Sequence, residues 1–177
     1  DGVLGRGGAE IGDTDYATIA EAIGAAQPGG TVTIRAGDYA TDVSVNKAIT
    51  VVGETDDQGN NLVNITGRVS TSSGATVKNL NVHNDKTGTY DCALSVNGKD
   101  IIIDGVKLTG YNGMRYCYAK GDITIKNSII DASYFALHFD GSDGGNLVID
   151  NCDITGWVSY GGSIDKVTLK DSTFDAG

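Results

Sequence analysis

Four side chains able to do acid–base work fall within fifty residues of each other: Asp91, Arg115, His138 and Asp140, with Lys120 nearby. A histidine beside a carboxylate can move a proton, and an arginine can neutralise a substrate carboxylate. These four are the candidate catalytic residues; the competing reading is the solvated polar face that any such surface needs. A second group is aromatic. Tyr111, Tyr116, Tyr118, Tyr134, Trp157 and Tyr160 comprise five of the eight tyrosines and the only tryptophan. Exposed rings stack on sugars and anchor protein contacts, so these are the candidate ligand-binding residues, set against the alternative that some fill the core. A third feature is the loop Asp140-Gly-Ser-Asp143-Gly-Gly145. Its carboxylates and carbonyls suit calcium, with Asp140 and Asp143 as candidate ligands, although an Asp/Gly run is also an ordinary tight turn. No other cofactor is expected.

Positioning such side chains falls to a repeat. Segments 75–82, 101–108, 123–130, 147–154 and 167–174 share the pattern apolar-x-apolar-x-(Asn/Gly/Asp)-x-x-apolar. Their fifth positions are Asn79, Gly105, Asn127, Asn151 and Asp171, 20–26 residues apart, and an earlier copy ends at Gly53. Apolar residues two apart face one side of a strand. The Asn, Gly or Asp that follows tolerates a left-handed backbone and bends the chain. A short second strand then returns Val82, Leu108, Ile130, Ile154 or Phe174 to the same interior. Such a unit is one coil of a parallel β-helix, and stacked coils share one core. Asn127 and Asn151 should then form an amide ladder.

A third strand closes each coil, with segments 93–96, 115–120, 136–139 and 158–160 as candidates. The alternation Phe135-Ala-Leu137-His-Phe139 puts His138 outward, and Tyr116 and Tyr118 alternate outward against Cys117 and Ala119. Cys92, Cys117 and Cys152 read as unpaired core thiols, being odd in number and without metal-site spacing. Upstream, Thr18-Ile-Ala-Glu21 has capping-box spacing. Ile19, Ala22, Ile23 and Ala26 share one helical face, and Gln27-Pro28-Gly29-Gly30 stops the helix. The expected organisation is an arm and cap helix over 1–30 and a β-helix over 31–177.

Composition limits the partners. The 177 residues carry a net charge of −10, which repels nucleic-acid backbones, and no run of 18 apolar residues would enter a membrane. Asn64-Ile-Thr66 is a glycosylation sequon.

The stretch from Tyr16-Ala-Thr-Ile-Ala-Glu21 through Gly-Gly-Thr-Val-Thr-Ile-Arg-Ala-Gly-Asp-Tyr39 to Ala48-Ile-Thr-Val-Val-Gly53 resembles the N-terminus of pectin-lyase-like proteins. The resemblance covers roughly 14–54 and implies an all-β, single-stranded, right-handed parallel β-helix, here of about six coils behind one capping helix. Among enzymes of that superfamily, the pectin methylesterases are nearest at the N-terminus. Their two-Asp, Gln and Arg site is carried by motifs such as QAVAL, QDTL and DFIFG, none of which occurs here. Cys92-Ala-Leu-Ser-Val96 occupies about the place of the first, without the Gln. The acidic ligand sets of pectate lyases and the grouped aspartates of polygalacturonases are also missing.

The preferred expectation is therefore a non-catalytic structural or adhesive module on a virion or cell surface, outside the cell, with a glycan as one expected partner. The alternative is a small carbohydrate-active enzyme using Asp91, Arg115, His138 and Asp140 on acidic polysaccharide. A start at Asp1 reads as processing or as part of a longer chain. The last segment has no third strand, so a covering partner is expected at that end: a downstream domain, a neighbouring subunit or a decorated surface.

Overall fold

The structure, a computed structural model, describes residues 8–176. Three strands make each coil except the last, which has two among the described residues. The first strands are Thr31–Ile34, Thr50–Gly53, Thr76–Lys78, Ile101–Asp104, Ile123–Lys126, Asn146–Asp150 and Lys166–Lys170. They stack in parallel so that Val32, Val51, Val77, Ile103, Ile125, Ile149 and Leu169 form one inward column. A second column runs Tyr39, Ile65, Val82, Leu108, Ile130, Ile154, Phe174. The third runs Val43, Val69, Leu94, Met114, Leu137, Val158. The three columns meet along the axis in one buried apolar cluster. Each coil's apolar face is thus covered by the coils above and below, about 4.8 Å away.

The solenoid makes about seven turns rather than six. The additional coil is the first, Thr31–Ile34, Gly37–Tyr39 and Val43–Val45. It lacks the Asn-type bend, because the chain turns there through Arg35 and Ala36.

Five of the six expected bends are left-handed; Gly53 is not, and ends strand Thr50–Gly53 without a positive φ. Asn79, Asn127, Asn151 and Asp171 have φ of 57°, 53°, 54° and 48°, and Gly105 has 66°. Asn151 Nδ2 donates to Asn127 Oδ1 at 2.9 Å, and Asn127 Nδ2 donates to Asp104 Oδ1 at 2.9 Å. Beside this ladder the outward residues Lys78, Asp104, Lys126, Asp150 and Lys170 alternate in sign from coil to coil. Asp104 lies 3.7 Å from Lys78 and 3.8 Å from Lys126.

The N-terminal end is covered. Helix Ile19–Ala25 has both capping-box bonds, Glu21 N to Thr18 Oγ1 at 3.1 Å and Thr18 N to Glu21 Oε2 at 3.2 Å. Ile19, Ala22 and Ile23 are buried. Lys47 Nζ donates to the carbonyls of Ile23, Gly24 and Ala26 at the helix's far end, where a cation complements the helix dipole. A hairpin that the sequence did not announce, Ala9–Ile11 with Thr14–Tyr16, pairs antiparallel with the first coil's leading strand. Arg35 clamps it through Glu10 and Asp15. At the opposite end Val167, Leu169 and Phe174 are 39%, 55% and 41% exposed.

Candidate functional site

Two departures from regular strand geometry shape the third-strand face. Strand Met114–Ala119 holds one residue more than its neighbours between paired positions, in the stretch Met114–Cys117. Tyr116 takes the left-handed conformation there, φ 55°. A bulky residue in that region is an outlier, and bulges re-aim side chains. Strand Ile129–Ser142 is irregular between Phe135 and Leu137. Ala136 and Leu137 are both buried, while Phe135 is only partly so. Phe135 therefore leaves the inward face shared by Leu137 and Phe139 and lies on the outside, contrary to simple alternation.

These shifts build an arginine–aromatic stack. The Arg115 guanidinium lies 5.2 Å from the Tyr90 ring centroid and 4.8 Å from that of Phe135. Tyr90 lies 5.0 Å from Tyr116, and Arg68 lies 5.5 Å from the Tyr116 ring. Each such contact is worth about 0.5–2 kcal/mol depending on burial. Arg115 is only 8% exposed, and its Nε and Nη1 are buried without a hydrogen-bond partner.

Two buried amides hold the rings in place. Asn112, fully buried, donates to Asp91 O at 2.7 Å and Thr89 O at 3.3 Å, and accepts from Phe135 N at 3.4 Å. It thus links the Tyr90 loop to the Phe135 strand. Asn84 donates to Cys92 O at 2.8 Å and accepts from Lys86 N at 3.0 Å, tying down the two ends of that loop.

The four candidate catalytic residues do not converge. Asp91 lies 3.9 Å from Arg68, and His138 Nε2 lies 3.4 Å from Asp140 Oδ1. Arg115 bonds none of the other three. His138 sits under Phe135, with ring centroids 4.5 Å apart, and its Nδ1 is buried without a partner. As placed, one histidine nitrogen faces Asp140 and the other faces the protein. Lys120 is exposed and donates only its backbone N–H, to Gly98 O at 2.8 Å.

The aromatic candidates divide. Tyr111 stacks on Tyr134 at 5.3 Å, and Tyr134 meets Trp157 at 5.3 Å. The three belong to successive coils and form a row parallel to the axis, with Trp157 56% exposed. Tyr116 belongs to the arginine stack. Tyr118 stands beside Gly141, where an added Cβ would press on its ring. Tyr160 lies 6.0 Å from Phe139, and burial pushes its phenol pKa up.

In the candidate calcium loop, Asp140 accepts from Cys117 N at 3.2 Å as well as meeting His138, while Asp143 pairs with Ser163 through its backbone. Among the described residues no group of three or more His, Cys, Asp or Glu is placed to hold a metal. Cys92, Cys117 and Cys152 are free and buried, and burial raises all three thiol pKa values.

Sequence reasoning missed Arg68, Tyr90 and Phe135. Tyr90 had a usable signal: it stands one coil before Tyr116, the spacing that separates Asn79 from Gly105. Phe135 had none, since a bulge reverses its direction.

Two crystal structures of pectin methylesterase from Aspergillus niger share this architecture. One, a penultimately deglycosylated form, is 21% identical with a TM-score of 0.61, covering 91% of this chain and 64% of that one. The other, a deglycosylated form, is 16% identical with a TM-score of 0.60, covering 93% and 84%. The fold is the right-handed parallel β-helix of pectin-lyase-like proteins. This chain spans less than two thirds of the first neighbour's length. No family model and no curated protein matches the sequence.

Proposed function

We propose that the chain is a carbohydrate-active β-helix that takes an acidic polysaccharide along its third-strand face, outside the cell. The observation that carries this reading is the row Tyr111–Tyr134–Trp157, with the Tyr90–Tyr116 pair as a separate aromatic contact on the same face. The rings stack from coil to coil about 5 Å apart, and Trp157, 56% exposed, is the one open to a sugar. The pectin methylesterase neighbours support a polysaccharide over a protein ligand. They also make this reading stronger than that of a purely structural surface module, which would need neither the row nor the buried Arg115. Among the described residues no helix is long and apolar enough to cross a membrane.

The test uses the chain's only tryptophan. Trp157 fluorescence should shift saturably as polygalacturonate is added. Trp157→Ala, followed by calorimetry, should weaken binding roughly threefold to tenfold. Unchanged fluorescence together with no heat of binding would end this reading.

The His138–Asp140 contact favours a second reading, turnover of the bound polymer. A histidine held beside a carboxylate can act as a general base in its neutral form, and His138 Nε2 lies 3.4 Å from Asp140 Oδ1. Lyase, hydrolase or esterase activity that disappears in His138→Ala would establish it. Binding without turnover would leave the face a recognition surface.

A further inference from the structure

Among the described residues two guanidinium groups are buried, those of Arg35 and Arg115, each 8% exposed. Arg35 is met by the carboxylates of Glu10, Asp15 and Glu54. Arg115 is met by no carboxylate among the described residues. Its two faces are covered by the rings of Tyr90 and Phe135, and its Nε and Nη1 have no acceptor. An arginine stays charged at any ordinary pH, so the charge cannot be shed to relieve its burial. Cation–π contacts offset only part of the desolvation. Two carboxylates of the same face are engaged with other groups: Asp91 with Arg68 and the Gly88 N–H, Asp140 with His138 and the Cys117 N–H.

We infer that Arg115 reads the ionised carboxylate of a uronic acid, so that this face selects the de-esterified form of a polyuronate over its methyl ester. The inference rests on the carbohydrate reading above and narrows its ligand. A carboxylate offers two charged oxygens to the planar fork of a guanidinium. A methyl ester offers one neutral carbonyl oxygen and leaves the buried charge unbalanced. Of the two covering rings, Tyr90 lies outside the strands and is 54% exposed, so a carboxylate would reach the guanidinium from that side by displacing that ring. Phe135, on the other side, is held by Tyr134 and Trp157. A net charge of −10 opposes any polyanion at long range, so attachment of one reports a local cationic site.

The experiment compares polygalacturonate with its fully methyl-esterified form by calorimetry, on the whole chain and on Arg115→Gln. The free acid should bind the unaltered chain tighter on the order of tenfold to a hundredfold, as expected for gaining a charge-assisted pair. Arg115→Gln should bind both forms alike. Without ligand it should melt at or above the unaltered chain's temperature, since an unpaired buried charge has been removed. Equal or tighter binding of the ester by the unaltered chain would overturn the inference and leave the polysaccharide reading intact. An acid preference surviving in Arg115→Gln would overturn it too. An Arg115→Gln chain that unfolds would show the guanidinium supporting the fold instead. If neither polymer binds, the proposed function itself fails, and this inference with it.

Discussion

Asn112 shows how one buried amide can set a surface several ångströms away. It makes no contact with solvent, yet it fixes the backbone on either side of Tyr90 and the N–H of Phe135. Asn112→Ala takes this partner from the carbonyls of Thr89 and Asp91 and from the Phe135 N–H, which should cost about 1–3 kcal/mol in denaturant unfolding. It should also weaken polymer binding, because both rings that enclose Arg115 lose their anchor. An Asn112→Ala chain of unaltered stability would contradict this pinning. The ladder asparagines were legible from sequence because their role repeats with the coil. Asn112 was not, because nothing periodic marks a single amide that serves one loop. Phe135 was misdirected for the complementary reason: strand alternation holds only while the ladder is regular, and a bulge reverses it.

Among the elements, the first-strand sheet was the most legible. Its apolar-x-apolar-x-Asn signature reports the inward pair and the bend together, and each inward residue stacks on its equivalent in the next coil. Ile125 lies between Ile103 and Ile149 and is fully buried. Ile125→Asp places an unpaired charge there, and the chain should fail to fold cooperatively. Circular dichroism would check it; an equally heat-stable variant would mean that the stacking register is wrong. The cap helix was legible through its capping box. The hairpin Ala9–Ile11 with Thr14–Tyr16 was not, because strands of three residues carry too few side chains to show a period. The third strands were the least legible. Their bulges break alternation at the coils that carry Arg115 and Phe135, and that same irregularity is what brings the arginine and the rings outward together.

At the scale of the whole molecule, the solenoid is two-sided in chemistry as well as shape. The Asn bends carry a fixed amide ladder beside a column of alternating Lys and Asp, whose groups are largely engaged with one another. The third-strand face begins with small residues, Ser44, Ser70 and Ser95, and then rises into Tyr90, Arg115, Tyr134 and Trp157 in the later coils. Exposed Val167, Leu169 and Phe174 at the last turn are what motivate the covering partner as a proposal. The central claim is that polysaccharide lies along the third-strand face, and hydrogen exchange of the whole chain with and without polygalacturonate tests it most directly. The account predicts slower exchange in the 85–91 loop and along 157–160 on adding the polymer, with no change at the bends around Asn127 and Asn151. Slowing confined to those bends, or no slowing in the loop at saturating polymer, would contradict it.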